Sequence, residues 1–294
     1  MYLGELLTLA TALIWAATGL VWAEGGRQKL GILQLFTVMT TTAALFSAVV
    51  LIFTERNQFP DISNIGAILV AGGGIICVAA AVINAETMKA YPKHTSAIWT
   101  VFQLCMVIPF LWSVVWWHKM PAVGQWIGFG CIVAALFFLA QGSSGYTNNA
   151  GGRWFLSALV TFVANGVSQA LVQEASFRGW SEAPFAKAAV ISAPISFLLW
   201  IACLLAVRRV PDIREWRLGV FGGLVSVTGS GTMFKAFDFL EVGGRQYLFF
   251  PTAVGGCIVI LAAFQFITGR ESMNLRKIGG MLVGLAGVIL LGIK

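Results

Sequence analysis

The stretch RKIGGMLVGLAGVILLG (residues 276–292) repeats, in its small and apolar residues, the earlier stretch QWIGFGCIVAALFFLAQ (residues 125–141). When Ile127-Gly128 is placed over Ile278-Gly279, the two stretches stay in step, and each follows a short polar segment. The two lie roughly half the chain apart, so they predict an internal duplication.

The composition is that of a membrane protein. Of 294 residues, 58% are hydrophobic and 11% are charged, with a mean hydropathy of +0.85. Soluble domains carry roughly 25% charged residues, so more than half of the expected charge is missing. The remaining charge lies in brief clusters between long apolar runs, which is typical of a polytopic α-helical membrane protein.

Ten apolar segments are long enough to cross a bilayer, which takes about 20 helical residues. They fall at about 3–22, 30–53, 63–85, 95–117, 122–141, 154–173, 184–206, 216–237, 246–268 and 276–293. The turn-rich segment QGSSGYTNNAGGR (141–153) divides them into five and five. The predicted fold class is therefore an all-α integral membrane protein with ten transmembrane helices, in two five-helix repeats at residues 1–145 and 150–294.

The repeat extends through both halves, because Thr11, Trp15 and Thr18 match residues 161, 165 and 168 at a spacing of 150. Each half has an odd number of crossings, so the second half enters the membrane from the opposite side. Inverted-topology repeats are typical of secondary transporters, whose two halves exchange conformations to open on alternate sides.

Three segments carry a family resemblance: TGRESMNLRKIGGMLVGLAGVILLG (268–292), FKAFDFLEVGGRQYLFFP (234–251) and LATALIWAATG (9–19). With them the chain resembles the ten-helix, EamA-like branch of the drug/metabolite transporter superfamily. The resemblance implies a substrate cavity in the centre, between helices of both halves, and both termini in the cytoplasm. Of the 19 Lys and Arg residues, that orientation would place twelve outside and seven inside, which opposes the positive-inside rule. The orientation therefore stays open.

Polar residues inside the predicted helices are the candidates for the site, since polar side chains in a membrane tend to face a bundle interior or a wet cavity. Steps of three and four residues place the polar side chains of the first helix, and those of the sixth, on one face. Because the two helices are repeat-mates, we expect both stripes to line one central space; hydrogen bonding between helices is the alternative. The predicted substrate-binding residues are Trp15, Thr18, Asn84, Gln103, Asn165, Ser168, Gln169, Ser230 and Tyr247.

Three charged residues could couple an ion or a proton to transport: Glu5, Lys235 and Asp238. Lys235 and Asp238 are three apart and could instead neutralise each other. No carboxylate is predicted at mid-span, which disfavours a proton-for-cation antiporter. An uncharged, zwitterionic or anionic substrate fits better.

Other functional classes find little support. The five cysteines lie in apolar runs without C-x-x-C spacing, where free cysteine packs as a small hydrophobe. With only two histidines, both at helix ends, we expect no catalytic site, no metal and no cofactor. No basic nucleic-acid-binding face is found, and no G-x-x-x-x-G-K-[ST] motif that would bind ATP.

The sequence thus predicts a secondary transporter of a small polar organic metabolite, such as an amino acid, in the cell (inner) membrane. A sugar or nucleoside uptake transporter is the alternative within the same fold, and a lipid flippase or membrane scaffold is the alternative from another class. The expected partners are a small-molecule substrate and the lipid bilayer. The G-x-x-x-G pairs Gly124/Gly128 and Gly280/Gly284 let helices approach closely, so the fifth and tenth helices are expected to pack closely or to form a homodimer.

Overall fold

The computed structural model describes residues 3–54, 64–118, 120–141, 150–178, 184–242, 249–271 and 274–292, and all regular structure in them is helical. Each predicted apolar segment falls on a helix. The helices are α1 (Leu3–Arg27), α2 (Ile32–Thr54), α3 (Ile65–Ala90), α4 (Thr95–Gln103), α5 (Val107–Trp116), α6 (Val123–Gln141), α7 (Ala150–Phe177), α8 (Pro184–Ile201), α9 (Ile213–Val242), α10 (Phe249–Ile267) and α11 (Leu275–Gly292).

The fourth predicted segment is divided, because a 3₁₀ turn at Leu104–Met106 separates α4 from α5. Pro109 explains the position of this turn. Its ring has no N–H to donate and collides with the carbonyl four residues earlier, which belongs to Cys105. The sequence therefore interrupts the helix at Cys105, in the interior of the span Pro92–Trp116.

Hydrogen bonds between helix ends show which ends lie together. Glu215, in the first turn of α9, accepts from the N–H of Gly31 at 2.8 Å, and Glu271 accepts from the N–H of Ser96 at 2.8 Å. Lys89 donates to the carbonyl of Leu30 at 2.8 Å and Arg270 pairs with Glu24, so both contacts lie on one side of the bundle, which we call the Glu271 end. At the other side Trp117 donates to Glu174 at 3.0 Å, and we call it the Glu174 end. Consecutive helices therefore run up and down between two faces.

The most extensive helix contacts join α6 to α11, α3 to α7 and α1 to α9. The first pair crosses at glycines, since a Cβ on Gly128 would lie 2.7 Å from the carbonyl of Gly287 and a Cβ on Gly287 would lie 2.8 Å from that of Gly128. Gly280 and Gly284 likewise pack on α6 side chains or on Leu104. The predicted close packing of the fifth and tenth helices is thus present within one chain, and the homodimer stays a prediction.

Six helices in the described part of the chain are long and apolar enough to cross a membrane: Leu3–Arg27, Ile32–Phe53, Ile65–Ala90, Pro92–Trp116, Arg153–Ala175 and Ala186–Val207. Two further apolar helices, Val123–Leu139 and Thr252–Ile267, are shorter. Large apolar side chains are exposed along these helices, Phe53 at 74% and Phe197 at 68%. These features are consistent with a multi-pass membrane protein, while the ten crossings and the inverted repeat stay predictions.

Candidate functional site

Polar side chains of two helices and one turn meet in the interior of the bundle. They come from α3, from the turn between α4 and α5, and from α7. We call this group the amide–thiol cluster, and its members are Cys77, Asn84, Cys105, Thr161, Asn165, Ser168 and Gln169. Four of the nine predicted substrate-binding residues belong to it, and none of its members carries a formal charge at neutral pH.

Asn165 is the centre of the cluster. Its Nδ2 donates to the Sγ of Cys105 at 3.0 Å, and its Oδ1 accepts from the Sγ of Cys77 at 3.5 Å. The Nε2 of Gln169, one turn further along α7, reaches the same Cys105 sulfur at 3.5 Å. Ser168 is within hydrogen-bonding reach of Cys77. The interruption of the helix before Pro109 places Cys105 where both amides meet it.

Asn84 lies on α3, fully buried, and its Oδ1 accepts from Thr161 at 3.4 Å. Its Nδ2 has no hydrogen-bond partner among the residues that the structure describes. A buried donor without a partner is unfavourable by about 1–3 kcal/mol, and each such group calls for an explanation, of which an absent ligand or water is one.

A second group of predicted residues lies on α1 and α9. The ring of Trp15 meets that of Phe249 edge-on at 6.0 Å and also lies beside Gly229. Thr18 and Ser230 donate to carbonyls of their own helices, at Ile14 (3.1 Å) and at residue 226 (3.2 Å). In this group the hydroxyls bond to their own helices, whereas the amide–thiol cluster bonds between helices.

The two predicted stripes therefore belong to two separate groups. Helix α1 packs mainly against α9 and α10 and also contacts α3, whereas α7 packs mainly against α3 and also contacts α4 and α5. Between them, Trp99 of α4 meets Trp22 of α1 at 5.3 Å and is only 2% exposed. Gln103, 8% exposed, ends α4 two residues before Cys105. That both stripes line one shared space stays a prediction.

The candidates for ion coupling are less well defined. Glu5 lies in the first turn of α1 and is partly buried, and Lys235 is exposed on α9. The side chain of Asp238 lies outside the described residues, as does Tyr247. A pair between Lys235 and Asp238 is therefore neither seen nor contradicted.

Three buried carboxylates, those of Glu174, Glu215 and Glu271, link helix ends and were not predicted from the sequence. At the Glu271 end, the carboxylate of Glu271 binds the Nζ of Lys277 at 2.7 Å in addition to the N–H of Ser96. At the other end, Glu174 accepts from Trp112 at 3.3 Å as well as from Trp117, and pairs with Arg178. Glu215 completes the set by accepting from Gly31 and Arg209. Only for Glu271 did the sequence contain a signal, an acidic residue in the turn before α11.

An apolar cavity of about 270 Å³ lies between α10 and α11, apart from the amide–thiol cluster. All of its lining residues are apolar: Ile258, Val259, Ala262, Ala263, Phe266, Ile278, Met281, Leu282 and Leu285. It offers no group that would orient a polar molecule.

Comparison with known proteins gives a family and a fold. The EamA-like transporter family matches residues 2–141, which span α1 to α6. The resemblance to that family is thereby confirmed for residues 2–141. Sixteen chains of solved structures match; one, described only as the crystal structure of a protein, aligns with a TM-score of 0.62 over 98% of this chain and 95% of its own, at 15% identity. Similarity at that identity concerns the fold alone. No curated protein matches the chain.

Proposed function

We propose that the whole protein is a secondary transporter that moves a small polar organic metabolite by alternating access, since residues 2–141 match the EamA-like transporter family. The observation that carries this proposal is the amide–thiol cluster. A bundle with apolar outer faces encloses amides, hydroxyls and thiols from two helices and one turn, and polar groups buried at membrane depth mark substrate pathways.

The pairing of the helices supports two halves, residues 1–145 and 150–294, related by an inverted repeat. In the first half α1 packs on α9 and α10, and in the second its repeat-mate α7 packs on α3 and on α4 and α5. If each of the first five predicted segments is replaced by its counterpart among the second five, the contacts of α1 with α9 and α10 become the contacts of α7 with α3 and with α4 and α5. A two-fold axis in the membrane plane produces such exchanged contacts, and it is the basis of alternating access.

The chemistry of the cluster suits a small polar organic molecule. Amides and hydroxyls can both donate and accept hydrogen bonds, so the cluster can orient such a molecule. An amino acid or a related compound is the first candidate, and a sugar or a nucleoside is the second. Glu5, Lys235 and Asp238 are the proposed coupling groups. The proposed location is the cell (inner) membrane.

The experiment replaces Asn165 or Gln169 with Leu and measures uptake into proteoliposomes of a labelled panel of amino acids, sugars and nucleosides. Each substitution removes an amide that the cluster requires, so we expect uptake to be abolished while expression and purification are unaffected. Val163, on the same helix and 48% exposed, provides the control: Val163→Leu should keep full uptake. Unchanged uptake by both amide variants would refute the cluster as the transport site.

The other classes find less support. A lipid flippase needs a lateral path for a polar headgroup, and the cavity between α10 and α11 is lined by apolar residues throughout. It can hold an acyl chain but provides no hydrogen bonds to a headgroup. The matching family consists of transporters and not of enzymes. A lipid-flip assay on the same proteoliposomes distinguishes a flippase from a metabolite transporter.

A further inference from the structure

We infer that the amide–thiol cluster binds an uncharged, oxygen-bearing group of its ligand, such as a carbonyl, hydroxyl or ether, and that any carboxylate or ammonium group of the ligand lies outside the cluster. The inference rests on the proposed function, since the ligand in question is the transported molecule. It deepens that proposal by naming which chemical group of the substrate reaches α3 and α7.

The first observation is the neutrality of the cluster together with the engagement of the nearest acidic groups. Glu86, two residues beyond Asn84 on α3, has a 51% exposed side chain that lies 3.9 Å from Lys89. Glu174, five residues beyond Gln169 on α7, is paired with Arg178. A charged group in the cluster would find no counter-ion among its members. Burying an unpaired ion is far more costly than burying a neutral polar group.

The second observation is that amide N–H donors of the cluster lack oxygen acceptors among the described residues. The Nδ2 of Asn84 has no partner in the described part of the chain, although the residue is fully buried. Among the described residues, the amide nitrogens of Asn165 and Gln169 contact only one acceptor, the sulfur of Cys105, at 3.0 and 3.5 Å. Sulfur is a weak acceptor. Three amide NH₂ groups of one cluster therefore lack an oxygen, and a neutral ligand oxygen would satisfy them without adding charge.

The two thiols of the cluster allow its preference for neutral over charged groups to be measured without knowing the substrate. Cys77 is partly exposed although it lies in the interior of α3, and both thiols contact Asn165. A methanethiosulfonate reagent reports access: the thiolate attacks its sulfenyl sulfur, a mixed disulfide forms and methanesulfinate leaves with the electron pair of the broken S–S bond. Reagents that differ only in their tail then report which charge the cluster admits.

The test uses full-length protein with Cys131, Cys203 and Cys257 replaced by Ala, so that Cys77 and Cys105 are the only thiols. Three reagents are compared, with a hydroxyethyl, a sulfonatoethyl and a trimethylammonioethyl tail. Each rate is divided by the rate of the same reagent with 2-mercaptoethanol, an uncharged thiol, in the same buffer. We expect the neutral hydroxyethyl reagent to have a relative rate at least tenfold above those of both charged reagents. Equal relative rates, a faster charged reagent, or no labelling of the folded protein would each overturn the inference.

Asn84→Asp is the diagnostic variant, with Asn84→Leu as its uncharged counterpart. A carboxylate at position 84 should raise the relative rate of the cationic reagent several-fold and lower that of the anionic one, whereas Leu should leave their ratio unchanged. An unchanged ratio in Asn84→Asp would show that the cluster does not control access and would refute the inference. Failure of the proposed function is recognised separately: if Asn165→Leu abolishes uptake while the labelling rates are independent of charge, the transporter stands and this inference falls.

Discussion

The buried ion pair between Lys277 and Glu271 yields a prediction that the structure makes quantitative. The Nζ of Lys277 lies 2.7 Å from the Oε1 of Glu271 and 2.7 Å from the carbonyl oxygen of Lys93. The second carboxylate oxygen of Glu271 accepts from the N–H of Ser96. The two charged side chains are 5% and 0% exposed. We predict that Lys277→Met strongly destabilises the protein, because it leaves the carboxylate buried without its cation.

The magnitude follows from the distance and the burial. Two unit charges 2.7 Å apart attract by about 6 kcal/mol at an effective dielectric constant of about 20. The hydrogen bond from Ser96 remains in the variant and offsets part of this loss. Removing one partner of a buried pair typically costs about 3–5 kcal/mol, and we expect the free energy of unfolding to fall by that amount.

The assay is reversible unfolding of the purified protein in mixed micelles, followed by tryptophan fluorescence. The control is Arg27→Met, since the Arg27 side chain is 61% exposed and ion pairs in solvent contribute little to stability. The double variant of Glu271→Gln with Lys277→Met should be more stable than Lys277→Met alone, because no charge is then left unpaired. A loss for Lys277→Met no larger than that for Arg27→Met would refute the reasoning.

Two further predictions concern helix packing. Gly287→Ala should lower the free energy of unfolding by about 1–3 kcal/mol, because its Cβ would lie 2.8 Å from the carbonyl of Gly128; Gly279→Ala, with nothing within 4 Å, should be neutral or slightly stabilising in the same measurement. Thr41→Val should cost about 1 kcal/mol, since the Thr41 hydroxyl accepts from the Nε1 of Trp200 at 3.0 Å and bonds to Ser196 at 2.7 Å. An unchanged unfolding midpoint for Thr41→Val would contradict that account.

Part of the candidate site is visible in the sequence. Asn165 and Gln169 are four residues apart on α7, so their shared face follows from helical spacing. Cys77 and Cys105 were not recognised as their partners, because a cysteine in an apolar run is interpreted as packing. In the structure Cys105 is indeed fully buried, yet its sulfur takes hydrogen bonds from both amides. Pro109, four residues later, was the signal that the helix is interrupted there.

The sequence by itself determined where the helices lie, with bounds that differ from the structure by up to about five residues and with the fourth segment divided in the structure. A helix in lipid satisfies its own backbone hydrogen bonds, so length and hydropathy suffice to locate it. Only the tertiary structure decided which helices are neighbours. Helices that are apolar on nearly every face do not specify their partners by hydrophobicity, so the partner is chosen by shape, as at Gly128 and Gly287, and by buried polar contacts, as at Glu271. For this reason the stripe of α7 could be predicted from spacing, whereas its place beside α3 and Cys105 could not.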